Sequence, residues 1–478
     1  MKFALLAVIS VFVFYLLNKK YRIGYLALIS CGFIYTFNNY LLVYVVAYSL
    51  LNFYIGILIA SSKYKIGFFR AGIIFNLTQL IILKYASFTI DPVFQIFNSD
   101  VRISRLSEIL ITVGVSYFTL QGIGYLINVK MGWEKPERSF LSFLLYIIFF
   151  PKFISGPIER SNHFLPQLKN LNAFNQQFVT EGFRLILLGF TKKVVIANQL
   201  GLVVNPVYNE LNGAGSGLVL AGILIQPLYL YFDFSGYTDI AIGTARLFGI
   251  KIIPNFDRPF FAENVTTFWK RFHTSLSSWF NDYVFKQLSF RLRKWKSHAA
   301  TFAAFITWIL FGIWHGAGWN FMILGLLQAL AINFEFFTKK WRQSVFSRVP
   351  EIWGKWIGRI ITYIFYGLSL VFFFSPDLKT AMLLFGRLPH KSLSIPTVEA
   401  PFILTDKVAF FTAIGILIIL LTIEFLSCEM KSKYEKMKAF WSSDKSASVI
   451  FRAIVYYAVI LLVFYFGRTQ VEFVYFQF

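Results

Sequence analysis

Two histidines stand in the two most polar, motif-like stretches of an otherwise apolar chain: His273 in FWKRFHTSLSSWFNDYVF and His315 in FGIWHGAGWNF. Imidazole is the side chain whose ordinary titration suits proton transfer near neutrality. An ionisable group at membrane depth is costly enough to require a use. His315 ends the apolar run Ala299 to Trp314 and precedes Gly316, Ala317 and Gly318, small residues that bring backbones together and leave room beside a ring. A neutral imidazole in such a cavity can accept a proton, a contribution of about 10²- to 10⁴-fold in rate.

His273 lies beside a stripe formed by Phe268, Phe272, Leu276, Trp279 and Tyr283, whose spacing of three and four predicts an amphipathic helix in or near the membrane plane. His273 and Ser277 share a face one turn apart, so the ring points either into a bundle cavity or along the interface. Taken singly, a histidine inside a bundle is more often a structural hydrogen bond worth roughly 1 kcal/mol. His163, His298 and His390 fall in polar connections and read as solvated. A third polar cluster, YFDFSGYTDIAIG, holds Asp233 and Asp239. These carboxylates suit an ion or proton site, a pair with Arg246, or a helix end at Ser235; Gly236 and Gly243 favour a bent, helix-ending segment.

The elements that must position these residues are membrane helices. Of 478 residues, 57% are hydrophobic and 14% charged, against about 25% charged in an ordinary soluble domain. Apolar runs of spanning length recur at about 3–17, 23–37, 39–61, 71–86, 107–129, 139–155, 182–200, 215–232, 299–314, 318–338, 356–375, 408–427 and 449–467. About eleven are expected to be true spans, the shorter runs being re-entrant or interfacial. The first run is followed by its positive charges and has no small-residue cleavage site, so it reads as a retained membrane helix. Residues 156–181 form a connection broken by Gly156, Pro157 and Pro166.

The net charge of +23 comes from 46 basic and 23 acidic residues, and the basic ones sit in short clusters between apolar runs. Lys19, Lys20 and Arg22, then Lys63, Lys65 and Arg70, then Lys130, Lys135 and Arg138 mark cytoplasmic loops, which puts the N-terminus outside. Arg291, Arg293, Lys294 and Lys296 mark a further cytoplasmic edge. No basic patch is joined to a stacking platform, so nucleic-acid binding is set aside. Cys31 and Cys428 lie apart in apolar runs and support neither a disulfide framework nor a metal site. No phosphate-binding glycine loop, nucleophile elbow or metalloprotease helix is present.

Six blocks make the chain recognisable: ITVGVSYFTLQGIGYLINV at 111–129, FFPKFISGPIERSNHFLPQL at 149–168, YFDFSGYTDIAIGTARLFGI at 231–250, FWKRFHTSLSSWFNDYVF at 268–285, GIWHGAGWNF at 312–321 and FVYFQF at 473–478. In these blocks the sequence resembles the membrane-bound O-acyltransferase (MBOAT) family, in the bacterial branch that holds the alginate O-acetylation and D-alanyl-lipoteichoic-acid transfer proteins. The resemblance implies an all-α polytopic bundle of about eleven transmembrane helices, with horizontal or re-entrant helices around a central funnel. It would form one membrane domain over 1–478: N-terminal spans in 1–155, a core with the two-histidine region in 156–340, and C-terminal spans in 341–478.

The implied reaction is acyl transfer from a cytoplasmic thioester to a hydroxyl of a cell-surface or exported polysaccharide. His315 matches the family's active-site histidine and His273 its partner. Trp314, Gly316, Gly318, Trp319, Ser277, Asp282, Tyr283 and Asp233 would line the substrate tunnel or support it, with Asp282 and Tyr283 holding the helix. No Ser or Cys has a nucleophile's setting, which favours direct transfer. No bound cofactor or metal is implied. The donor would be acetyl-CoA or a carrier-protein phosphopantetheine thioester. The partners would be membrane lipids, a glycan acceptor, an acyl carrier protein or an extracytoplasmic SGNH-type acyltransferase, at a bacterial cell membrane. Phe272, Asn281 and the stretch FKQLSFRLRKW depart from the family pattern.

Two rivals remain on the sequence: D-alanyl transfer from a carrier protein to teichoic acid, and a transporter built on Asp233 and Asp239. A transporter should carry inverted repeats with paired broken helices, and no such symmetry is visible.

Overall fold

The computed structural model describes residues 2–97, 102–110, 114–171, 174–209, 215–388 and 406–467. The terminal FVYFQF block, residues 111–113 of the first block and His390 lie outside the described residues. Helices make up the fold. We label the main ones α1 (Lys2–Leu16), α2 (Lys19–Tyr35), α3 (Asn39–Ser61), α4 (Lys65–Thr89), α5 (Val115–Met131), α6 (Phe140–Ile148), α7 (Gln176–Asn209), α8 (Ser216–Leu247), α9 (Val265–Trp269), α10 (Thr274–Phe280), α11 (Ser297–His315), α12 (Trp319–Phe337), α13 (Glu351–Phe374), α14 (Lys407–Glu429) and α15 (Ser446–Phe466).

Among the described residues, nine helices are long and apolar enough to cross a membrane: α3, α4, α7, α8, α11 from His298, α12, α13, α14 and α15. Asn38, Asn175 and Asp406 cap α3, α7 and α14 by accepting from backbone N–H groups of the first turn, which satisfies donors that no helical carbonyl can reach. The run expected at 107–129 breaks at Gly114, whose φ of 78° suits glycine. The run at 139–155 breaks at Phe149, after α6, and resumes as a single turn over Phe150–Phe153.

Polar pairs join the apolar helices where water is absent. Asn76 on α4 donates to Asn52 on α3 at 2.8 Å, and Gln79 on α4 donates to Thr119 on α5. The most intimate packing is between α7 and α8. A Cβ on Gly189 would lie 2.5 Å from the carbonyl oxygen of Gly236, and one on Gly243 would lie 2.6 Å from that of Gly182. Glycines let the two backbones touch there, as small residues do between membrane helices.

That contact corrects the reading of Asp233 and Asp239 as a helix end. α8 runs without interruption through both, and Gly236 and Gly243 serve close approach, not a bend. α7 widens into a π turn at Thr191–Ala197. From it Lys193 donates to Asp233, and Lys192 donates to Asp239 at 2.7 Å. Arg246, the other candidate partner, pairs instead with Glu181. Burial makes such a carboxylate affordable only with a cation beside it.

Candidate active site

The expected single amphipathic helix around His273 is interrupted. α9 ends at Trp269, the chain turns, and α10 starts at Thr274. His273 itself sits between them with φ 49° and ψ 48°, a left-handed conformation that L residues adopt at a cost. The turn is held from outside. Asp257 N–H donates to Arg271 O and Thr274 N–H to Asn255 O, both at 2.9 Å, so residues 255–257 pair with the bend as a short antiparallel bridge. Ser275 Oγ donates to Asn255 Oδ1, and Asn255 Nδ2 reaches Thr238 Oγ1 on α8.

The apolar stripe of the segment is packed against other helices, while Lys270, Ser278 and Asn281 are exposed. Phe268, Phe272, Leu276 and Trp279 are buried, and Trp279 Nε1 donates to Leu120 O on α5 at 2.9 Å. Glu335 at the end of α12 caps α9 by accepting from the N–H groups of Val265 and Thr266. The stripe was legible as apolar, but its burial required partners on α5, α8 and α12.

His315 is the last residue of α11, with Gly316 as its cap. α11 and α12 close tightly above the following GAG turn: a Cβ on Gly312 would lie 2.2 Å from Phe321 O, and one on Gly316 2.1 Å from the Phe321 ring. Asn320 donates to the carbonyls of Phe372 and Ser375, tying the start of α12 to the end of α13. These contacts bring the two histidines together. Their ring centroids lie 6.5 Å apart, both side chains buried, with Trp314 edge-on to each. Phe234 stacks edge-on against His273 at 4.7 Å, and Phe311 and Phe373 against His315 at 5.1 and 5.5 Å.

A cavity of about 450 Å³ lies beside this pair, between the segment 266–285 and α11. One wall carries Thr266, Lys270, Thr274, Ser277, Ser278 and Asn281; the other carries Trp269, Phe280, Trp308 and Phe311. Phe311 closes its inner end, one helical turn before His315 on α11. Ser277 thus lines the cavity, and its hydroxyl donates to Phe272 O.

The other expected site residues distribute differently. Trp314 donates from Nε1 to Ser116 O and stacks on Tyr117. Trp319 is exposed and meets Phe88 edge-on. Gly318 is extended, with a Cβ-sized gap closed by Asn320. Asp282 pairs with Arg160 at 3.4 Å and Lys286 at 2.8 Å, and Tyr283 donates to Asn128 at 2.7 Å. Asp233 is held by Lys193, next to the Phe234 that packs on His273.

Asn128 also donates to Ser161, which donates to Glu134. Burial pushes the Glu134 carboxyl up to about 7, against the hydrogen bonds from Ser161 and Asn128. His163 pairs with buried Glu159 at 2.8 Å, which raises its pKa above the ordinary value. Both sit away from the histidine pair. Among the described residues no cluster of His, Cys, Asp and Glu could hold a metal ion. Sequence reasoning missed Lys84, whose ammonium reaches the end of α11; a lone lysine in the apolar run IILKYASF was its only signal.

Comparison with known proteins agrees with this architecture. The profile described as MBOAT, membrane-bound O-acyltransferase family, matches residues 136–376, which include both histidines. The probable alginate O-acetylase AlgI of Pseudomonas aeruginosa is 28% identical over 379 residues, 77% of this chain and 70% of that protein. The peptidoglycan O-acetyltransferase of Helicobacter pylori is 28% identical over 69% of this chain and 67% of its own. The teichoic acid D-alanyltransferase of Bacillus subtilis is 30% identical over 53% of this chain and 66% of its own. Further alginate relatives are matched over 47% to 67% of their lengths. All these relatives are bacterial. A multi-span helical chain with this profile over half its length belongs to the membrane-bound O-acyltransferase family.

Proposed function

We propose that this chain transfers an acyl group, acetyl being the simplest, from a cytoplasmic thioester to a hydroxyl of a cell-envelope polysaccharide. The observation that carries this reading is the buried His273–His315 pair beside a cavity whose lining includes Phe311, which touches His315. The acceptor hydroxyl oxygen attacks the thioester carbonyl carbon, and its proton passes to the His315 imidazole. The C–S bond breaks, and the leaving sulfur takes a proton back from His315. His273 faces the same space and positions the reacting groups. Direct transfer is favoured because the hydroxyls of Ser275 and Ser277, the serines next to His273 in the chain, donate to Asn255 and to Phe272 O.

The thioester arm would lie in the cavity, its amides facing Thr274, Ser277 and Ser278 and its chain along Trp308 and Phe311. About eleven spans around a central funnel is the architecture this reading implies. Acetyl-CoA is the preferred donor because the alginate relative of Pseudomonas aeruginosa and the peptidoglycan relative align over 77% and 69% of the chain, against 53% and 57% for two D-alanyl relatives. An extracytoplasmic esterase-fold partner could receive the acyl group before the glycan does. A transporter built on Asp233 and Asp239 is disfavoured, since Lys193 and Lys192 engage both carboxylates.

The test is transfer of radiolabelled acetyl from acetyl-CoA into envelope glycan, with wild type and His315→Ala at matched expression. Loss of about 10²- to 10⁴-fold on substitution is expected for a positioned base. Equal labelling of the two would remove His315 from the chemistry. Label absent from both would point to a carrier-protein donor.

A further inference from the structure

α4 reaches the His315 end of α11 from outside the region matched by the family profile. It widens into a π turn at Ile81–Tyr85, a feature that recurs at functional sites because the extra residue re-aims side chains. Here it aims two consecutive residues at three consecutive carbonyls. Tyr85 donates from its hydroxyl to Ile313 O at 2.8 Å. Lys84 donates from Nζ to Trp314 O at 2.8 Å and His315 O at 3.1 Å.

The last carbonyls of any helix lack intrahelical partners and carry the negative end of its dipole. A glycine turn such as GAG leaves them without a side-chain cap of their own. Lys84 supplies both hydrogen bonds and the opposite charge, and it lies 5.6 Å over the Trp314 ring. A lysine inside an apolar helix is too expensive to keep as filler.

We propose that Lys84 is a positioning residue for His315: its ammonium clamps the final turn of α11, and through it fixes where the imidazole stands relative to His273 and the cavity. Tyr85 completes the clamp one residue earlier. The role attributed to His315 rests on the acyl-transfer reading above, whereas the clamp itself is a statement about the geometry of α11.

The test uses the purified full chain as wild type, Lys84→Met, Lys84→Arg and His315→Ala. Two readouts are taken: acetyl transfer from acetyl-CoA to envelope glycan, and amide hydrogen exchange. In Lys84→Met, kcat should fall about 10- to 100-fold, as a small misplacement of a reacting group does. KM for acetyl-CoA and the thermal midpoint should barely move. Lys84→Arg should restore most of kcat, because a guanidinium can still donate to two carbonyls. Exchange should quicken at residues 311–318 and nowhere else.

A kcat within twofold of wild type in Lys84→Met would overturn the proposal. So would loss of kcat together with the thermal midpoint and no recovery in Lys84→Arg, which would mean a purely structural contact. If wild type transfers no label, acetyl-CoA is not the donor, and unchanged exchange at 311–318 in Lys84→Met would then refute the clamp independently.

Discussion

Phe311 touches both halves of the site: its ring meets His315 edge-on with centroids 5.1 Å apart, and it lines the neighbouring cavity. Trp269 and Trp308 pack around it at 4.9 and 4.8 Å, and Trp269 is itself held by a hydrogen bond to Gln328. The cavity therefore ends on a wall of rings, beyond which lies the imidazole.

A smaller residue at this point should lengthen the space available to an acyl chain. Phe311→Leu is preferred to Phe311→Ala, since truncating a buried Phe to Ala costs about 3–5 kcal/mol. The ratio of four-carbon to two-carbon acyl transfer should rise by about tenfold, the discrimination one or two methylenes carry in an apolar pocket. Competition between acetyl-CoA and butyryl-CoA measures it. An unchanged ratio in a folded variant would place the acyl path elsewhere.

Asp233 and Lys193 form a buried pair with side chains 0% and 18% exposed. Removing one partner leaves a charge without compensation, a loss of about 3–5 kcal/mol. Asp233→Asn should accordingly lower the thermal midpoint strongly, and Asp233→Leu combined with Lys193→Met should recover much of it. A double variant no better than Asp233→Asn would show that the pair does more than neutralise itself.

Glu134 gives a pH dependence whose sign follows from its burial. Its carboxyl titrates near 7 in the folded chain and at the model-peptide value of 4.5 when exposed. The unfolded chain therefore ionises first, and the folded state loses stability as pH rises from about 4.5 through about 7. Glu134→Gln carries no such loss. Its stability relative to wild type should grow across that window and level off above it, read as the difference in thermal midpoint at a series of pH values. A difference independent of pH would mean that the Ser161–Asn128 network already accommodates the carboxylate.

Several features were legible because they are local. Hydropathy over some twenty residues is a property of one segment, so the multi-span class and the interhelical loops at the basic clusters could be read without partners. His315 at the end of α11, followed by close-packing glycines, is likewise written in adjacent residues. The MBOAT resemblance rested on such blocks, and the family match agrees with it.

What only the tertiary structure decided depends on contacts distant in sequence. Helical periodicity ran straight through His273, because nothing in FWKRFHTS forbids a helix; the break is imposed by the backbone of Asn255 and Asp257, which pairs with Arg271 and Thr274. Gly236 and Gly243 read as a bend until α7 was seen to press against them. Asp233 and Asp239 looked like an ion site, a pair with Arg246 or a cap, and their partners proved to be Lys193 and Lys192. Charges that must be buried choose partners by proximity in three dimensions, and the same physics brings Lys84 to the carbonyls beneath His315.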